Sequence, residues 1–269
     1  MRALRIWPLM ALLALPAWAD ARLTVAVDVL QLREAAAILR DEGLAHAEDL
    51  NQEMLGGSGG TGWQVQVTAI YDPERMVELV RAALGDVLEP DELEAVIAFY
   101  ASDLGTKIVS LENSARVAMG AQDVEDAARA RLAELEGTDN ARLAMVRALE
   151  ASGDMINRNV TSAMNSNFQF LRGMADGDGV QMSEEEMLSQ VAGDIDEITE
   201  DTRGWLLSYF LLAYHPLSDA ELQTYIDFLN TPAGDALNRA YFEGFGQAFE
   251  DISYGLGRAI ALNMVAEEL

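Results

Sequence analysis

Along most of this chain the apolar residues recur at the three-to-four-residue spacing of helices with one buried face. Two stretches show it best: Leu93, Val96, Ile97 and Tyr100, and again Leu222, Tyr225, Ile226 and Leu229. Start signals precede both. Ser218 with Glu221 three residues on makes a capping box, and Leu217 with Leu222 a hydrophobic staple. In the first stretch Pro90 takes the first helical position and Leu88 with Leu93 repeats the staple. A hydroxyl then opens a second helix at a corner, Ser102 in one stretch and Thr231, followed by Pro232, in the other. Gly105 and Gly234 fall inside the new first turn. Glycine in a helix costs about 1 kcal/mol against alanine, so its return at matched positions points to close helix–helix contact. One constant shift superimposes Leu88 on Leu217, Leu93 on Leu222, Ile97 on Ile226, Phe99 on Phe228 and Gly105 on Gly234. The pattern predicts an all-α protein of two tandem helical-bundle units related by an internal repeat, with Phe99 and Phe228 buried at equivalent places.

The remaining segments fill in around these corners. Residues 1–19 read as an export signal: Arg2 and Arg5, an apolar run from Ile6 to Leu15, and the small-residue site Ala17-Trp18-Ala19, with cleavage before Asp20. The apolar run is too short to span a bilayer, so the signal implies a soluble periplasmic protein. The first unit is expected over residues 20–137 and the second over 138–269, with Gly137 to Asn140 as linker. Val27 to Arg40 predicts a helix stopped at Gly43, Leu44 to Leu55 another, and Gly56 to Gly60 a flexible loop without the features of a phosphate-binding turn. Val65 and Val67 alternate as in a strand, whereas Trp63, Val67, Ile70 and Tyr71 share a helical face. Helix is the reading adopted, because no second strand is available to pair. Further helices are expected from Pro73 to Leu84, Ser102 to Met119, Asp123 to Glu136, Arg142 to Leu149 and Met155 to Met174. One or two helices cover Met187 to Tyr214, with Gly193 and Gly204 as breaks, and a long or kinked helix covers Thr231 to Val265.

Charge narrows the function classes. Eighteen basic residues face 45 acidic ones, for a net charge of −27, and removal of residues 1–19 takes away two arginines and no acid. Such a surface repels nucleic acid and anionic membranes. The absence of cysteine excludes disulfides, thiol chemistry and a lipidated N-terminal cysteine. Chemistry-bearing residues are scarce. His46 and His215 lie in different halves and in no metal-ligand spacing, so each reads as a structural or surface residue. Asp176-Gly-Asp-Gly179 followed by Glu184, Glu185 and Glu186 partly fits a calcium loop, but Met174 would stand at the first ligand position and supplies no oxygen. An acidic turn capping the next helix is the preferred reading. In the run Asp194 to Asp201, Ile195 and Ile198 predict a buried face with the acids in solvent. The methionines read as adaptable core filler. No catalytic residue, metal or cofactor is therefore assigned.

The corner pattern, Glu-Leu-x3-Ile-x-Phe-[Tyr/Leu]-x-[Ser/Thr]-x2-Gly with a long helix behind it, resembles the domain of unknown function 2059 family, exported helical proteins of Gram-negative bacteria. Phe99, Tyr100, Ser102 and Gly105 carry the likeness in the first copy, where Asp103 replaces the usual proline. In the second copy Thr231, Pro232 and Gly234 keep the pattern and Leu229 replaces the tyrosine. The helix behind the first corner, Leu111-Glu-Asn-Ser-Ala-Arg116, resembles a variant of the same family found in alphaproteobacteria. The resemblance implies a helical fold and an envelope compartment, and no activity.

The stretch from Trp205 to Leu217 is apolar nearly all round, with Ser208 the one polar side chain before Tyr214. Ten helical residues span only about 15 Å, half a bilayer core, so protein, ligand or another copy must cover it. Trp205, Leu206, Tyr209, Phe210 and Tyr214 are thus a candidate apolar groove or interface. The leading reading is a non-catalytic periplasmic protein that binds another envelope protein or itself. The alternative is a carrier or sensor of an apolar small molecule held between helices, and the third is an enzyme working with carboxylates alone. A cavity above roughly 300 Å³ with few convergent polar groups favours the carrier. A flat exposed apolar patch of several hundred Å² favours the partner.

Overall fold

A computed structural model describes the backbone of residues 14–267 and the side chains of residues 20–264. The n-region and most of the h-region of the signal, with the side chains of the cleavage site, lie outside the described residues. Within them the chain is all-α: α1 (Ala14–Val29), α2 (Leu32–Met54), α3 (Gly60–Ile70), α4 (Pro73–Val87), α5 (Pro90–Tyr100), α6 (Asp103–Met119), α7 (Gln122–Leu135), α8 (Ala141–Ser152), α9 (Met155–Asp176), α10 (Glu184–Gly193), α11 (Ile195–Ala213), α12 (Asp219–Leu229) and α13 (Pro232–Glu267).

Local chemistry sets the helix starts. Asp72 accepts the Glu74 N–H at 3.0 Å ahead of Pro73, and Asn140 accepts the Leu143 N–H at 2.9 Å. Ser183 with Glu186, and Ser218 with Glu221, form reciprocal capping boxes, each satisfying two otherwise orphaned N–H groups. At the corners Ser102 Oγ accepts from Gly105 and Thr231 Oγ1 from Gly234, both at 3.1 Å.

Several expectations change. The first break falls at Leu30 and Gln31, where Gln31 is left-handed (φ 50°), and α2 runs straight through Gly43. Gly43 leaves room for the ring of Tyr71: a Cβ there would stand 2.0 Å from Tyr71 Cε1. Gly193 does end α10, but Gly204 continues inside α11 beside Arg129. Ile195, expected on a buried face with Ile198, opens α11 and is 41% exposed, whereas Ile198 is half-buried. The segment from Gly60 to Ile70 is helical, with Trp63 and Val67 buried. Phe99 and Phe228 are half-buried rather than buried. They stack on each other face to face, centroids 3.9 Å apart and planes 9° apart.

The long α13 is the axis of the packing. At 36 residues it is about 54 Å long, and it lies along α9 and α4 and also touches α3 and α5. Its contact with α9 brings backbone to backbone: a Cβ on Gly173 would be 2.2 Å from Tyr254 O, and one on Gly257 2.1 Å from Phe170 O. The two sequence halves show parallel pairings. The helix α1 packs on α4 and α5, and α2 on α4; α8 packs on α11 and α12, and α9 on α11. Buried side chains from Ala26 to Ala261 form one continuous cluster that draws on both halves.

Candidate functional site

Six helices converge on a cavity of about 330 Å³, with Met155, Asn159 and Ser162 of α9 and Tyr225 of α12 completing walls built mainly by four others. From α2 come Leu32, Ala35, Ile38 and Leu39; from α6 Val109, Glu112, Asn113 and Arg116; from α11 Tyr209 and Phe210, with Tyr214 just beyond; from α13 Asn238, Tyr241, Phe242, Phe245, Gly246 and Phe249. Helical spacing explains the α13 wall, since positions i, i+1, i+4 and i+8 put Tyr241, Phe242, Phe245 and Phe249 on one stripe. Gly246 keeps its edge open: a Cβ there would meet nothing within 4 Å. The cleft continues into a groove of about 550 Å³ that shares Leu39, Arg116, Asn159, Ser162 and Phe249 with the cavity.

Glu112 is the acidic side chain in this lining. Its Oε1 accepts hydrogen bonds from Tyr214 at 2.7 Å and Tyr225 at 3.0 Å. The hydroxyl of Tyr100 lies 3.3 Å from that of Tyr225. Because Tyr225 donates to Glu112, Tyr100 donates to Tyr225. No residue among those described hydrogen-bonds Oε2. Tyr209 donates instead to the Glu112 main-chain carbonyl at 3.1 Å. The residue is half-buried, and its exposed part is cavity wall rather than open surface, so the carboxyl is desolvated. Burial pushes its pKa up, and the bonds from Tyr214 and Tyr225 pull it only part of the way back. Burial also raises the phenols of Tyr214 and Tyr225 well above the usual tyrosine range, with the nearby Glu112 charge adding to it.

Arg116, the other charged lining residue, is already paired. Its Nε and Nη2 donate to the Glu42 carboxylate at 2.7–3.0 Å, and its guanidinium lies 5.0 Å over the Trp205 ring. Asn113 donates to Gln31 at 3.1 Å and Asn238 to the Gly153 carbonyl at 2.8 Å. The amide N–H groups of these side chains are thus held by protein, and Glu112 Oε2 is the carboxylate oxygen of the lining that no described residue hydrogen-bonds.

Of the residues picked from sequence, Tyr209, Phe210 and Tyr214 line the cavity. Trp205 stacks on Tyr209 at 5.2 Å, and Leu206 is buried in the core away from it. His46 is exposed on the neighbouring groove, and His215 is exposed at the end of α11. Asp176 accepts the Tyr254 hydroxyl at 3.0 Å, and among the described residues no three His, Asp or Glu side chains gather as a metal-ligand set. Glu112 escaped the sequence reading although a signal existed: with Ile108, Ala115 and Met119, all buried, it completes an i, i+4, i+7, i+11 stripe. The shift that superimposes the corners also places Val109 on Asn238, Glu112 on Tyr241, Asn113 on Phe242 and Arg116 on Phe245, and all eight line the cavity.

No helix among the described residues is long and apolar enough to cross a membrane. The chain matches no curated protein and no solved structure. Residues 74–134, which hold α5, the whole of α6 with Glu112 and Arg116, and nearly all of α4 and α7, match the family model described as an uncharacterized protein conserved in bacteria (DUF2059).

Proposed function

We propose that this is an exported, non-catalytic helical protein that holds an apolar small molecule in the cavity between α2, α6, α9, α11, α12 and α13. The observation that carries the reading is the cavity: about 330 Å³, within the range of small-molecule sites, walled by aromatic and aliphatic side chains around a few polar groups. Among the described residues the exposed large apolar side chains, Val25, Val65, Val117, Leu188, Ile195 and Leu262, lie on six different helices, and single exposed apolar residues are ordinary surface. Two further parts of the proposal rest on other observations. The segment of residues 1–19 supports export to the periplasm, and the parallel pairings of α1–α6 and α8–α13 support two diverged copies of one unit, over residues 20–137 and 138–269, that share the cavity.

Native mass spectrometry of the protein purified from the periplasm tests this. The expected result is a monomer mass starting at Asp20 with a small adduct, lost on solvent extraction and regained on adding an apolar compound. A protein that takes up no apolar compound and runs as a stable dimer would return the weight to the partner reading.

A further inference from the structure

Resting on the ligand-cavity reading, we propose that the cavity selects a small organic cation, a protonated amine on an apolar body. The ammonium sits at Glu112 Oε2 and the body lies against Phe242, Phe245 and Phe249. A carboxylate removed from water is costly unless it is paired. Phenols supply Oε1 with two donors but bring no positive charge, and Oε2 has no donor among the described residues. Arg116 is the cation on the same wall, but it is already paired with Glu42 through Nε and Nη2. The missing component is a cationic donor, and a ligand ammonium supplies charge and hydrogen bond together. Tyr209, Phe210, Tyr214 and Tyr241 line the same cavity, and aromatic rings attract a cation in a desolvated site. A net charge of −27 draws cations toward the protein.

The groups that face Glu112 are the phenols of Tyr100 on α5, Tyr209 and Tyr214 on and after α11, Tyr225 on α12 and Tyr241 on α13, with Arg116 on its own helix and Glu42 on α2. Burial raises all five phenols, so they stay neutral at ordinary pH and Glu112 is the group that titrates. Its own raised pKa means that a bound ammonium, by favouring the carboxylate, is released as pH falls through that value.

The test uses 1-octylamine, 1-octanol and octanoate, which share a chain and differ in head-group charge, titrated calorimetrically into the full-length mature protein. Octylamine is expected to bind about tenfold or more tighter than octanol, as for one charge-assisted hydrogen bond, with octanoate weakest. Glu112→Gln should abolish the amine preference and leave octanol binding in place. If octanol binds and octylamine is no tighter, cation selection is wrong while the cavity reading stands. If none of the three binds, both fail. Tighter octanoate binding, or an amine preference that survives in a folded Glu112→Gln, overturns the proposal. Should that variant lose its helical circular dichroism, the wild type decides alone. Its amine preference must fade as pH is lowered into the acid range while octanol binding stays level, and a flat preference refutes the role of Glu112.

Discussion

The corner from α5 to α6 and the corner from α12 to α13 use the same devices. Each has a hydroxyl cap, Ser102 or Thr231, that accepts from a glycine at 3.1 Å. Each glycine lies where a Cβ would be 2.2 or 2.3 Å from the carbonyl of the preceding phenylalanine. The helices that leave the corners differ completely. Where α6 presents Glu112, Asn113 and Arg116, α13 presents Tyr241, Phe242 and Phe245 at the matching positions. Both rows face the same cavity. Positions related by one sequence shift thus line one cavity, three of them polar on α6 and aromatic on α13, with Val109 and Asn238 reversing the contrast.

The comparison breaks first at the glycines. Gly105→Ala and Gly234→Ala each push a methyl group into a backbone carbonyl, which no side-chain rotation relieves. Each should cost about 3 kcal/mol in urea denaturation, the upper end of overpacking, and the two losses should be similar. A loss at one corner alone would mean the corners are not equivalent in energy. Phe99→Ala and Phe228→Ala come next, at about 2 kcal/mol each, below the roughly 3–5 kcal/mol of a fully buried phenylalanine. A double-mutant cycle should recover a coupling of about 1 kcal/mol from their stack, and purely additive losses would count against the face-to-face contact.

Glu112→Gln sharpens the contrast between the walls. The glutamine Oε1 can accept from Tyr214 and Tyr225 as the carboxylate does. Because the folded pKa of Glu112 is raised, the unfolded chain gives up this proton first as pH rises. Wild type therefore loses stability from the ordinary carboxylate range upward to the folded value, and the variant does not. Melting temperatures should match below that window, with the variant ahead above it. A variant that is less stable at neutral pH would show the carboxylate to be structural. The smallest effect is expected at Ser208, whose buried hydroxyl has no partner among the described residues. Ser208→Ala should stabilise by up to about 1 kcal/mol, read as a raised melting temperature.

The helices and corners were legible in sequence because their signals are local: Ser218 with Glu221, Ser102 before Gly105, and the stripe from Leu93 to Tyr100 all act within a turn or two. Gly43 was misread because a glycine that ends a helix and a glycine that admits a distant ring look alike along the chain, and Tyr71 lies on another helix. Phe99 and Phe228 lie on matched helices, but their mutual stack depends on how the two corners meet. The cavity was only half legible. Tyr209, Phe210 and Tyr214 stand out in an apolar run, whereas Glu112 looks like one acid among 45 until α6, α11 and α12 are brought together.

The central claim, that an apolar molecule occupies the space between the two unlike walls, is tested most directly at Gly246. This glycine borders the cavity and has open space where a Cβ would go. Gly246→Leu should fill the space and, by removing a glycine from the middle of α13, stabilise the helix by about 1 kcal/mol. Calorimetric titration of 1-octanol should show saturable binding to the wild type and none to this variant, with the variant melting at the same temperature or higher. Equal octanol affinity in a folded Gly246→Leu would place the binding elsewhere and contradict the claim.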